Sequence, residues 1–164
     1  MEKLIREWES KAKSTKKENR LFLKKAKGKT KEKINALATE LHEEVFEEID
    51  CLKCANCCRG LGPRLNRTDI KRMAKHLRMK DADFEDEYVK IDEDGDSVMK
   101  AMPCPFLGDD NYCSIYEVRP RACREYPHTD MDNFISKSTL HIRNTTECPA
   151  VYHVLERIKK AIRT

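Results

Sequence analysis

The sequence is short of hydrophobic material. Apolar residues fill 39% of its 164 positions and charged residues 38%, so the apolar share is below that of ordinary globular domains and the charged share above it. No apolar run approaches the length of a membrane span, and the N-terminus MEKLIREWESKAKS lacks the apolar stretch of a signal peptide. No membrane partner is therefore expected, and the cytoplasm is the expected compartment. Net charge is only +4, too little to announce a polyanion-binding protein by itself. A length of 164 residues suits one domain of ordinary size, with room for an appendage, and no internal repeat is present. A core this lean commonly relies on a metal or on disulfides.

Charge is unevenly spread. Residues 1–33 hold 13 Lys/Arg against 5 Asp/Glu, whereas residues 34–50 hold 6 acids and no Lys or Arg. Periodicity predicts a charged helix over 1–26, a break at Gly28-Lys29, and a stronger helix over 31–49 with Ile34, Leu37, Ala38, Leu41, Val45 and Ile49 on one face. These two helices would pair as an N-terminal hairpin. LNRTDIKRMAKHL predicts a helix capped by Asn66 or Thr68 that buries Ile70, Met73, Ala74 and Leu77. A short helix is expected around Phe84 and Tyr88. Asp94-Gly95 predicts a tight turn before a short strand. Its acids resemble a calcium loop only loosely, because Gly95 is fourth counting from Asp92 where such a loop needs it sixth. FISKSTLHI reads as a second strand, and the chain closes in a helix with Val151, Val154, Leu155, Ile158 and Ile162 on one side.

What is abundant is cysteine. CLKCANCCRG places four within eight positions: Cys51, Cys54, Cys57 and Cys58; Cys104, Cys113, Cys123 and Cys148 follow. Disulfides, a redox-active pair and a metal site compete to explain this. A reducing cytoplasm argues against disulfides. A redox CxxC normally follows a strand and opens a helix, whereas here an acidic helix precedes it and a third cysteine comes three residues later. Closely spaced cysteines completed by remote ones suit tetrahedral zinc, and equally a [4Fe-4S] cluster. Both Cys104 and Cys148 precede proline, as a remote cluster ligand often does. Spacing leaves zinc and iron open, and eight thiols would fill two four-cysteine sites or one cluster with thiols to spare. Cys57 and Cys58, as sequence neighbours, are hard to aim at one ion. Lys53, Arg59, Arg64, Arg119, Arg121 and Arg124 lie near the cysteines in sequence and would either offset thiolate charge or sit in solvent.

With CxxCxxCC in hand, CLKCANCCRG, NRTDIKRMAKHL, CPFLGDDNYCSIYEVRPRACREYP and the late Cys148-Pro149 resemble the YkgJ-type cysteine-cluster proteins, over about residues 48–150. That resemblance implies a zinc- or iron-chelating domain in which the cysteines bind metal. Residues 1–47 fall outside it as a lysine-rich helical extension, and residues 151–164 are expected as a C-terminal helix packed on the core. Flagellin lysine methylases look similar in their cysteine clusters, but this chain offers no separate cofactor-binding region. The C-x3-C-x2-C of radical methyl-transfer enzymes is only half present, at Cys54 and Cys58.

Among other residues, Asp69 is expected in a helix-capping role. His128 is a lesser candidate imidazole ligand. Tyr116 and Tyr126 would pack around the site, and Pro120 and Pro127 would stiffen the arginine-rich turn. His42, His76, His141 and His153 read as ordinary helix or strand residues. Trp8 and Phe22 are poor material for base stacking, so nucleic acid is not the expected partner. The expected protein is mainly α with a small α+β element, a cysteine-rich core stapled by metal, and short strands. Its expected work is coordination of zinc or iron by Cys51, Cys54, Cys57, Cys58, Cys104, Cys113, Cys123 and Cys148, without an assigned catalytic residue. An iron–sulfur oxidoreductase, an electron carrier or a catalytic relative of the methylases is the alternative.

Overall fold

The computed structural model describes residues 1–163. Its helices are α1 (Glu2–Arg6), α2 (Trp8–Lys25), α3 (Gly28–Glu48), α4 (Cys51–Cys54), α5 (Asn56–Gly60), α6 (Arg67–His76), α7 (Asp81–Tyr88), α8 (Arg121–Glu125), α9 (Ser138–Asn144) and α10 (Pro149–Arg163). Two strands, β1 (Val89–Ile91) and β2 (Ser97–Met99), lie between α7 and α8. The protein is thus mainly α with a small α+β element, as the sequence predicts. Two compact units divide the chain. The first joins Met1–Cys54 to Pro127–Thr164, and the second is Ala55–Tyr126. Among the described residues, no helix is long and apolar enough to cross a membrane.

The first unit is a helical assembly. The three- and four-residue steps of Ile34, Ala38, Leu41 and Val45 bury one face of α3, continued by Ile49. Ala150, Val154, Leu155 and Ile158 of α10 meet them, and Phe134 and Ile142 complete the same core. Burying each such Ile or Leu contributes roughly 1.5–3 kcal/mol. The N-terminal helices do not rely chiefly on each other, as a simple hairpin would. Instead α3 packs mainly on α10, and α2 packs on α9 and α10. Trp8 and Ala12 meet Tyr152, and the Trp8 indole N–H donates to the Thr145 carbonyl at 2.7 Å. Gly28, at φ +50°, begins α3 in the left-handed region, where glycine carries no Cβ penalty.

FISKSTLHI is not a strand. Phe134–Lys137 is a 3-10 turn and Ser138–Asn144 is α9. Its β-branched and aromatic residues suggest a strand locally, but Phe134, His141 and Ile142 are buried at helical spacing, and packing overrides propensity. His141, read from sequence as ordinary, is fully buried and stacks on Phe134 with ring centroids 4.0 Å apart.

The second unit has its own core of Leu65, Ile70, Met73, Ala74, Phe84, Met99, Phe106 and Ile115. Asn66 caps α6, as its sequence predicts. The Asn66 side chain accepts the Asp69 N–H at 2.8 Å, and the Asp69 carboxylate accepts the Asn66 N–H at 3.3 Å. Strands β1 and β2 pair antiparallel, Val89 with Met99 and Ile91 with Ser97. Gly95, at φ +81°, makes the turn between them. Asp92 Oδ1 accepts the N–H groups of Asp94 and Asp96, at 3.0 and 2.8 Å.

Candidate metal centre

The cysteine-rich segment is helical. Cys51 and Cys54 are the two ends of α4, and Cys57 and Cys58 lie on α5. Ala55, in the left-handed region at φ 48°, separates these helices. Helices of four or five residues carry no periodicity that a sequence could show. No disulfide joins any of the eight cysteines.

In the second unit, thiols arrive from separate segments. The Cys104 N–H donates to the Cys58 carbonyl at 2.8 Å, tying the first of these segments to α5. Cys104 and Cys113 are the feet of one tight loop. Leu107 bridges to Cys113, the Gly108 N–H donates to the Tyr112 carbonyl, and the Ser114 N–H donates to the Phe106 carbonyl, both at 2.8 Å. Asp110 stiffens the tip by accepting the Tyr112 N–H at 2.9 Å. Phe106 anchors the loop in the core, with its ring 4.9 Å from that of Tyr88.

Cys123 rides on α8, and the sequence missed what holds α8 in place. Asp69 is 1% exposed. Besides capping α6, its Oδ1 accepts the Arg121 N–H at 3.0 Å and pairs with Arg72. Arg72 in turn donates to the carbonyls of Val118 and Arg119, at 3.3 and 3.0 Å. The capping pair Asn66 and Asp69 is legible in NRTDIKR; the partner 52 residues away is not. The Asp69–Arg72 spacing of three is the one local hint.

The thiols sense one another. Burial pushes the Cys123 thiol up to about 12, helped by the neighbouring charges of Cys58, Cys104 and Cys113. Cys104 and Cys113 are also raised, burial first, with Cys58 adding to each. Backbone amides oppose this, from Phe106 on Cys104 and Ile115 on Cys113. Cys58 is the exception. A hydrogen bond from Cys57 brings it down to about 7, and Arg59 adds to that. Arg119, stacked 3.6 Å over the Tyr116 ring, favours the thiolates of Cys113 and Cys123. Arg59 and Arg119 therefore offset thiolate charge. Arg64 and Arg121 pair with Asp96 and Glu125, and Lys53 with Asp50.

The first unit holds Cys51, Cys54 and Cys148. Asp50 starts α4, its carbonyl accepting the Cys54 N–H and its Oδ1 the Leu52 N–H, both at 2.9 Å. Cys148 sits immediately before α10 and packs against the core. Burial pushes its thiol up to about 12. The amides of Val151 and Ala150 oppose that shift, and the charges of Cys51 and Cys54 add to it. His128, the candidate imidazole ligand, belongs to this unit, and Cys123 to the other.

The donors are therefore thiols aided by backbone N–H groups, a set suited to a thiophilic cation that stabilises them as thiolates. Among the described residues, no three Cys, His, Asp or Glu side chains already stand close enough together to hold an ion. A family model described as "CxxCxxCC: Putative zinc- or iron-chelating domain" matches residues 50–149. No curated protein and no solved structure matches the chain. The match spans more than half of the sequence and every cysteine in it, and the chain belongs to the CxxCxxCC family of zinc- or iron-chelating domains.

Proposed function

We propose that this protein is a zinc-binding module with two thiolate centres, one in each compact unit. Cys58, Cys104, Cys113 and Cys123 would form a closed four-sulfur site. Cys51, Cys54 and Cys148 would form a three-sulfur site that takes its fourth ligand from elsewhere. The observation that carries this reading is the division of the thiols between the units. Cys58, Cys104, Cys113 and Cys123 lie in one, where the Cys104 N–H meets the Cys58 carbonyl and Cys113 closes the same loop, and Cys51, Cys54 and Cys148 lie in the other. Four thiolates match the closed tetrahedral preference of structural zinc. Bound zinc would supply charge compensation and cross-linking, without redox chemistry. The chain's part is to bring the loop of Cys104 and Cys113 against α5 and to hold α8 through Asp69. Binding would release protons from the thiols and add to stability.

The test is metal and acid-labile sulfide analysis of protein purified without oxygen, with a visible spectrum of the same sample. Colourless protein carrying about two zinc ions per chain supports the reading. Iron with sulfide and brown colour would replace it with an iron–sulfur centre.

A further inference from the structure

The cysteine-bound metal leaves one feature of the first unit without a role. From Lys16 to Lys33 the chain carries nine Lys/Arg and two Glu, a net +7. These residues form the second half of α2, the turn after it and the start of α3. Of the two acids, Glu18 is already engaged by Lys159 and Arg163. Among the described residues, none of the nine cations has a carboxylate within ion-pair distance. All but Lys16 are exposed.

Their placement runs against helix electrostatics. The N-terminal end of a helix is its positive pole and favours acids. The first turn of α3 has no acid but carries Lys29 and Lys31, with Lys33 next. The far end of α3 carries Glu43, Glu44, Glu47 and Glu48 and no base in its last turn. Arg157 of α10 answers Glu44 and Glu48, but nothing answers the lysines. Helix stability does not explain cations at that end.

A cleft of about 250 Å³ lies beside them, lined by Arg20, Leu23 and Lys24 of α2 and by Ser138, Thr139 and Ile142 of α9. A lining that includes Arg20, Lys24, Ser138 and Thr139 suits a phosphate group. We infer that this face of α2 and α3 binds the phosphate backbone of nucleic acid without reading its sequence. Eight of the nine cations are lysine, and lysine acts as a point charge rather than a bidentate base reader. Stacking, for which Trp8 and Phe22 are poorly suited, is not needed for phosphate contacts. A membrane surface fits less well. The apolar side of α2, Trp8, Ala12 and Leu23, is buried inside the unit, leaving Leu21 as its exposed large apolar residue, and interfacial helices insert an apolar face.

The experiment is fluorescence anisotropy of labelled oligouridine titrated with metal-loaded full chain at rising salt. If on the order of six cations engage phosphates, affinity falls about 300-fold between about 50 and 200 mM salt. The variant Lys24→Glu/Lys27→Glu/Lys31→Glu should weaken binding at least about tenfold and lower the salt slope by about two. Lys24→Gln/Lys27→Gln/Lys31→Gln should act in the same direction with less effect. Unchanged metal content and helical circular dichroism would show that both variants fold. Lys71→Glu/Lys75→Glu, on α6 of the other unit, should leave binding unchanged. The inference is overturned if oligouridine does not saturate below about 100 μM at the lower salt. It is overturned equally if the α6 variant weakens binding as much as the α2–α3 variants do. Tighter binding to equimolar phosphatidylserine–phosphatidylcholine vesicles than to oligouridine would also overturn it and assign the face to a lipid surface.

Discussion

Replacing Asp69 by alanine should cost more than the loss of a helix cap. The carboxylate is 1% exposed and serves three donors: the Asn66 N–H, the Arg121 N–H and the Arg72 guanidinium at 2.5 Å. Losing a cap alone costs about 1 kcal/mol. Hydrogen bonds to a charged group add about 1.5–3 kcal/mol each when a buried partner is stranded. Arg72 is 27% exposed and keeps its two carbonyl acceptors, so its share is discounted. A total near 3 kcal/mol follows, or a fall in Tm of roughly 6–12 °C for a chain of this size. Asp69→Asn retains an acceptor oxygen and should lose about half of that. The loss should also reach the metal, because Arg121 opens the helix that carries Cys123. The assay is thermal unfolding of metal-loaded protein, with zinc release to a chromophoric chelator followed in parallel. Zinc should leave the Ala variant faster than wild type. A Tm within about 2 °C of wild type with unchanged release would refute the anchoring role.

Other expectations follow from the same geometry. Cys123→Ser should remove about one zinc ion per chain, and Cys148→Ser a different one; complete loss of metal in either single variant would show one shared centre rather than two. His141, pushed down to about 4 by burial and by the charges of His128 and Lys137, is neutral in the folded protein and charged in the unfolded chain below its ordinary value of about 6.5. Its stabilising contribution is therefore complete above about pH 6.5 and lost as pH falls toward about 4, by up to roughly 3 kcal/mol. Denaturant titrations across that range should show the slope in wild type and a shallower one in His141→Phe. Trp8→Phe should lower stability by about 1–2 kcal/mol, since the Thr145 carbonyl loses its buried donor; circular dichroism melting reads this directly.

Long amphipathic segments were legible in the sequence because their periodicity reports burial. Ile34 to Val45, Ile70 to Ala74 and Val151 to Ile158 all face the cores they predict. Asn66 and Asp94-Gly95 were legible because capping and turning are local chemistry. The pairing of α3 with α10 was not, since contact between elements about a hundred residues apart leaves no local trace. The division of the cysteines between the two units was hidden for the same reason. CxxCxxCC looks like one cluster, but the structure divides it at Ala55, placing Cys51 and Cys54 in one unit and Cys57 and Cys58 in the other. Sequence also treated the lysine-rich start as an added element. Its lysines other than Lys16 are exposed, yet Trp8, Ala12 and Leu23 belong to the buried interior of the first unit.

The order of the two units along the chain sets a schedule for synthesis. Residues 55–126 are contiguous, and all four thiols of the proposed closed site lie within them. The first unit needs both flanks, because the partner of α3 is α10. A nascent chain emerging at about 5–20 residues per second therefore completes its middle several seconds before α10 leaves the ribosome. During that interval α3 lacks the α10 partner that covers its apolar stripe, while all four thiols of the proposed closed site have already been made. Metal supply at the ribosome would then decide whether the protein's first stable part is a loaded site or an exposed run of thiols.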